Sequence, residues 1–254
     1  MNQHSASISN GSWAIRVRDL SRSFPAQNSN HTLFRVLTRQ VLNGQRNSNG
    51  FYALKDINLE VVKGEKVAIV GDNGAGKTTL LKVIGGLFRP TVGEVHTRGD
   101  MVLLRGAEIG MVDELSAAEN LFLYSSIYGV HREKVKKNVD EIFEWAELKS
   151  FAHARLATLS SGMKTRLAFS ALRHFDAEIF LLDEVFSAVD THFEQKYLEV
   201  FEQQKSSDRT FLIATHDMKF ARMFCTKTLW LSRGKQMAFD STDEVLDRYM
   251  AAST

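Results

Sequence analysis

Residues 71–78 read GDNGAGKT, a full match to the glycine-rich phosphate loop G-x-x-x-x-G-K-[ST]. The apolar run VAIV precedes it and a helical pattern follows, which is the strand–loop–helix setting such a loop requires. Gly71, Gly74 and Gly76 let backbone N–H groups point inward at phosphate oxygens, and the helix N-terminus adds positive potential. Asp72, Asn73, Ala75 and Thr79 complete the cradle. Lys77 is placed to reach terminal phosphates, and the Thr78 hydroxyl to ligate Mg²⁺. A second carboxylate site follows from EIFLLDE, an apolar run ending in two acids. Asp183 at its tip is placed to hold Mg²⁺, directly or through water, and Glu184 to polarise an attacking water. FLIATHD puts His216 at the tip of another strand, where ligands of such sheets gather, as a sensor of the γ-phosphate. LSSGMKTRLAF, residues 159–169, opens a further helix with Ser160, Ser161 and Gly162: a second phosphate nest, this one without a lysine at the matching place.

These residues lie far apart in the chain, so a frame must gather them. Lys66–Val70, Glu178–Leu182, Phe211–Thr215 and Thr228–Ser232 are apolar runs of the kind buried on both faces of a parallel sheet. Trp13–Leu20 and Asp56–Val62 read as further strands. Helical patterns mark Gly76–Phe88, Met163–His174 and His131–Leu148; in the last, Val135, Val139, Ile142, Phe143 and Ala146 share one face. Strands alternating with helices predict an α/β sheet. Residues 105–165 read as a helical subdomain, and residues 241–252 as a closing helix. Thr32–Asn43 has Leu33, Phe34, Leu37 and Val41 at helical spacing beside Arg35 and Arg39, predicting a basic amphipathic insert over residues 30–44. Residues 1–12 read as a disordered tail ahead of a single domain, 13–254.

The bulk numbers exclude several classes. With 254 residues, 44% hydrophobic and 24% charged, the chain suits a globular domain with a full core. A net charge of +2 gives no electrostatic case for a nucleic-acid partner. The lone cysteine, Cys225, rules out an internal disulfide and fits a reducing compartment. No apolar run reaches the roughly 20 residues needed to span a bilayer. The polar N-terminus is not a secretory signal.

In order, GDNGAGKT, LSSGM, FLLDE, SAVD and ATHD resemble the motifs of the ATP-binding cassette (ABC) ATPases, over about residues 13 to 240. LSSGM stands where that family carries its Ser-Gly-rich signature. The resemblance implies an α/β fold: a P-loop NTPase (RecA-like) core with a helical subdomain and a small antiparallel β subdomain. It implies ATP and Mg²⁺ as ligands and a head-to-tail homodimer. Each site would take Lys77, Thr78, Asp183, Glu184 and His216 from one copy, and Ser160, Ser161 and Gly162 from the other. Glu184, His216 and Lys77 would carry catalysis, Thr78 and Asp183 would hold the metal, and Asp190 of SAVD would join the nucleotide set. Family members stack adenine on an aromatic ring ahead of the phosphate loop; Tyr52 and Phe51 are the candidates here, with Phe24 behind them. No Gln occurs between Met101 and Asn120, where most members place one; Glu108 and Asp113 are the nearest polar substitutes.

Departures narrow the branch. Val185 replaces the usual proline after Glu184, and Met163 ends the signature in place of Gln. With DEVFSAVDTHFEQK, SSGMKTRLAFS and GAEIGMVDELSAAENLFLYSSIYG, these resemble the polysaccharide exporters of O-antigens, capsules and teichoic acids. The resemblance implies the ATPase subunit of an exporter that moves lipid-linked polysaccharide of O-antigen or capsule type across the inner membrane. It would sit on the cytoplasmic side, held by an integral membrane permease on a separate chain, with the amphipathic insert near the membrane. Another exported substrate, such as teichoic acid or a lipid, is the alternative. A soluble non-transport cassette is the other; those carry long coiled-coil insertions or paired cassettes, and this chain shows neither. Some O-antigen exporters continue into a carbohydrate-binding domain; as the chain ends after its predicted last helix, selectivity for the glycan end is expected to reside elsewhere.

Overall fold

The computed structural model describes residues 12–25, 50–105, 111–127, 130–184 and 191–252. The tail up to residue 11, the insert expected at 30–44, Glu108 and Asp190 lie outside the described residues. The strands are β1 (Trp13–Pro25), β2 (Gly50–Val62), β3 (Lys66–Val70), β4 (Val92–Thr97), β5 (Met101–Arg105), β6 (Ile179–Asp183), β7 (Thr210–Ala214), β8 (Lys227–Ser232) and β9 (Lys235–Ser241). The helices are α1 (Lys77–Ile84), α2 (Ala117–Ile127), α3 (Arg132–Trp145), α4 (Ser161–Leu172), α5 (Thr191–Gln204), α6 (Met218–Phe224) and α7 (Thr242–Ala252).

The strands join one sheet in the order β4-β1-β2-β9-β8-β3-β7-β6-β5. Pairing from β8 through β3, β7 and β6 to β5 is parallel. β1–β2, β1–β4 and β8–β9 are antiparallel. Every residue of β3, β6 and β7 is buried. Alternate residues serve the two layers: Phe180, Leu182, Phe211 and Ile213 face the helical side, while Ile179, Leu181, Leu212 and Ala214 face α1 and the antiparallel strands. This is why the runs look uniformly apolar rather than alternating.

Several elements run differently from the sequence patterns. β1 continues past Leu20 to Pro25 and β2 begins at Gly50, so the two pair Ser23 with Tyr52 and Phe24 with Phe51 at their far end. α1 stops at Ile84, because Gly85 and Gly86 follow and Gly86 takes φ 74°. β4 carries no apolar face to read: five of its residues are exposed, and its partner is the antiparallel β1. On the helical side, an aromatic cluster locks the layers. Phe201 of α5 meets Phe211 of β7, Phe220 and Phe224 edge-on at 6.0, 5.1 and 4.8 Å. That packing fixes α6, and so the loop between β7 and α6 that holds His216.

Candidate active site

Register brings the chemistry together. β7 lies between β3 and β6, with Ala214 level with Ile69 on one side and Asp183 on the other. The three strands therefore end side by side, and Gly71, Glu184 and His216 emerge at the same edge. The glycines of the loop are sterically required. Gly71 has φ 144°, and a Cβ there would lie 2.1 Å from the Leu231 carbonyl oxygen. Gly76 has φ 109°, and a Cβ would lie 2.7 Å from the Ala53 carbonyl oxygen. Gly76 is also the N-cap of α1 and supplies no side-chain cap. The first-turn amides of α1 thus face the cleft without a capping oxygen, the arrangement an anion completes.

Lys77 opens α1 and is buried at 5% side-chain exposure. Its Nζ donates to the carbonyl oxygens of Gly71 at 2.7 Å and Asp72 at 3.3 Å. It also lies 3.2 Å from His216 Nε2 and 3.8 Å from Glu184 Oε1. Burial holds its pKa below the usual lysine value, while Glu184, Asp183 and Asp72 pull the other way. His216 Nε2 stands 2.9 Å from Glu184 Oε1. One nitrogen cannot serve both neighbours alike: protonated it donates to Glu184, and unprotonated it accepts from Lys77. Which of the two neighbours Nε2 serves depends on the tautomer of His216. Glu184 itself holds φ 52°, a left-handed backbone that turns its carboxylate away from the strand direction.

The Thr78 hydroxyl donates to Asp183 Oδ1 at 3.1 Å. A hydroxyl and a carboxylate so placed are hard oxygen donors that suit Mg²⁺. The cleft above them encloses about 590 Å³, with Asn73 through Thr79 and Glu184 at one end and Phe24, Phe51 and Tyr52 at the other. Phe51 and Tyr52 are 62% and 52% exposed, leaving ring faces open. Phe51 stacks on Phe24 with centroids 5.9 Å apart. All three aromatic candidates line the cleft.

Ser160, Ser161 and Gly162 stand elsewhere: none lines this cleft. Ser160 is the N-cap of α4, its Oγ accepting the Met163 amide at 3.2 Å. Lys164 donates to Asp113 Oδ1 at 2.9 Å, which gives Asp113 a role in holding α4. Three cleft residues escape the sequence motifs, Ala53, Arg233 and Gly234. The usable signal was the Arg-Gly pair between TLWLS and the following strand, a two-residue hairpin turn. Also unread was Tyr249 of α7, whose hydroxyl lies 3.3 Å from Asp72 Oδ1.

Comparison with known proteins bears on the family and the fold. The ABC transporter family profile matches residues 54–187. The chain is 36% identical to the teichoic acids export ATP-binding protein of Staphylococcus saprophyticus over 199 residues, 78% of this chain and 75% of that protein. It is 30% identical to the O-antigen export system ATP-binding protein of Klebsiella pneumoniae over 84% of this chain and 85% of that one. It spans only 44% of a teichoic acids export ATP-binding protein of Lactococcus lactis and 56% of an O-antigen export system ATP-binding protein of Myxococcus xanthus. An ATP-binding subunit of an ABC transporter superposes with TM-score 0.73 at 23% identity, covering 93% of each chain. A dimeric ATP-binding cassette bound to ADP and Pi superposes with TM-score 0.71 at 23% identity, over 90% of this chain and 98% of that one. The fold is therefore that of the P-loop cassette ATPases, and the chain belongs to the ABC transporter family.

Proposed function

We propose that this chain is the ATP-hydrolysing, nucleotide-binding subunit of an exporter of lipid-linked polysaccharide. The observation that carries the reading is the convergence of Lys77, Thr78, Asp183, Glu184 and His216 at one edge of β3, β7 and β6. The loop amides and Lys77 bind the phosphates, and Tyr52 or Phe51 stacks on the base. Thr78 and Asp183 would hold Mg²⁺, which when bound would offset negative charge on the phosphate oxygens. Glu184 accepts a proton from the attacking water, and His216 contacts the γ-phosphate and senses its loss. Phosphoryl transfer needs positioning and charge stabilisation, which this set supplies.

A second copy, docked head to tail, supplies Ser160, Ser161 and Gly162. Supporting this, the three lie outside the chain's own cleft, and Ser160 and Ser161 are exposed at a helix N-terminus. Asp190 belongs to the nucleotide-binding set. A permease on another chain converts closure and opening into transport, on the cytoplasmic face of the membrane. The insert at 30–44 acts where lipid-linked substrate enters; deleting Thr32–Asn43 should spare ATPase activity and impair export.

The named relatives divide between teichoic acids and O-antigen. The glycan class is tested by purifying the chain with its membrane partner and assaying which lipid-linked sugar raises ATP hydrolysis. Stimulation by a lipid-linked glycan supports the reading. A membrane complex that responds only to other substrates overturns it.

A further inference from the structure

β8 and β9 are joined by Arg233 and Gly234, with Ser232 paired to Lys235. Their φ angles are 47° and 75°. Two left-handed residues in a two-residue hairpin make the turn type that selects Asn, Asp or Gly. An arginine in its first place is backbone strain, and strain retained beside a ligand cleft points to use. The turn is also clamped. The Gly234 amide donates to the Ala75 carbonyl oxygen in the phosphate loop at 3.0 Å. The Gly234 carbonyl accepts from the Lys55 amide at 2.8 Å. A Cβ on Gly234 would lie 2.7 Å from the Ala53 carbonyl oxygen, so the turn sits hard against both the loop and the strand that carries Tyr52.

Arg233 thus stands on the cleft wall, between the aromatic end and the phosphate loop. Lys77 and Arg233 are the two cations among the cleft's described lining residues. Lys77 is buried among carbonyl oxygens, His216 and Glu184, whereas Arg233 is exposed and has no carboxylate partner among the described residues. A guanidinium is always charged, and its planar fork matches phosphate oxygens. We propose that Arg233 is a nucleotide-binding residue, pairing its guanidinium with the phosphate chain on the side opposite Lys77. The proposal rests on the cleft being a nucleotide site.

The test titrates ATP against the full chain and its Arg233→Gln, Arg233→Lys and Arg233→Asn variants, at low and high salt. Arg233→Gln and Arg233→Asn should bind ATP about ten-fold more weakly at low salt, the worth of one charge-assisted hydrogen bond. The deficit should shrink at high salt, and Arg233→Lys should recover most of it. Arg233→Asn should melt no lower than the parent, because Asn suits the turn. Unchanged binding by Arg233→Gln overturns the proposal. So does a loss that neither salt nor lysine alters, or a lower melting temperature for Arg233→Asn. A parent chain that binds no ATP would instead bring down the nucleotide reading itself, and this inference with it.

Discussion

Two helix N-termini in this molecule carry Gly and Ser where phosphate would dock, and they are built in opposite ways. At α1 the cap is Gly76, left-handed and without a side chain, so the first-turn amides have no internal acceptor. At α4 the cap is Ser160, extended, whose own oxygen accepts the Met163 amide. The lysine following the first nest is buried within the site, and the lysine following the second reaches out to Asp113. The first nest is surrounded by acids, a histidine and aromatic rings; the second stands exposed on the helical segment. One is a nearly complete site and the other stands outside it, the arrangement that the proposed sharing of a site between two copies requires.

The largest break in this comparison comes from the chemistry of the first nest. Glu184→Gln should leave ATP binding intact and lower hydrolysis by roughly 10²–10⁴-fold, trapping an ATP-bound dimer. Hydrolysis at the parent rate would sink the assignment. Ser160→Arg tests the second nest. In mixed dimers it should lower turnover at the opposite copy's site by roughly 10²-fold, the worth of a lost charge-stabilising donor. Damage confined to the mutant copy's own phosphate loop would refute the shared site.

The caps themselves should differ in stability. Gly76→Ala forces a side chain into φ 109° against the Ala53 carbonyl, so it should lose about 1–3 kcal/mol from the backbone alone. Ser160→Ala, which removes only a cap, should lose about 1 kcal/mol by urea unfolding. Equal losses would mean that the two termini are not built differently. The smallest effect is on pH. Lys66 is buried, donating to the Gly64 and Ser207 carbonyls at 2.8 and 2.6 Å, and burial lowers its pKa below 10.5. Between the lowered value and 10.5 the unfolded chain binds more protons, so stability should rise with pH through that window. Lys77 acts in the same direction. Lys66→Met should flatten part of the rise, read as urea midpoints across alkaline pH.

Much of the site was legible in residue order because its parts are local. GDNGAGKT shows its purpose in eight consecutive residues, since a loop's glycines and the adjoining helix cradle phosphate without distant help. The buried strands were legible because a parallel sheet covered on both faces admits only apolar residues. β4, β5 and β9 were not: β4 and β9 have exposed or mixed faces that leave no period to find, and β5 was not read as a strand although Val102 and Leu104 are buried. Arg233 was missed because nothing in Ser-Arg-Gly-Lys announces a ligand; its meaning comes from landing on the phosphate loop more than 150 residues away.

Residue order settled which groups can do chemistry and which segments must be buried, because both follow from side-chain type and short-range spacing. It also settled that the second nest has no lysine at the matching place. What it could not settle was proximity. Lys77, Asp183, Glu184 and His216 meet because β7 pairs between β3 and β6 in a register that ends all three together. Hydrogen-bond register and layer packing act between segments distant in the chain, so only the folded sheet decides that these residues meet while Ser160 stays outside the cleft lining.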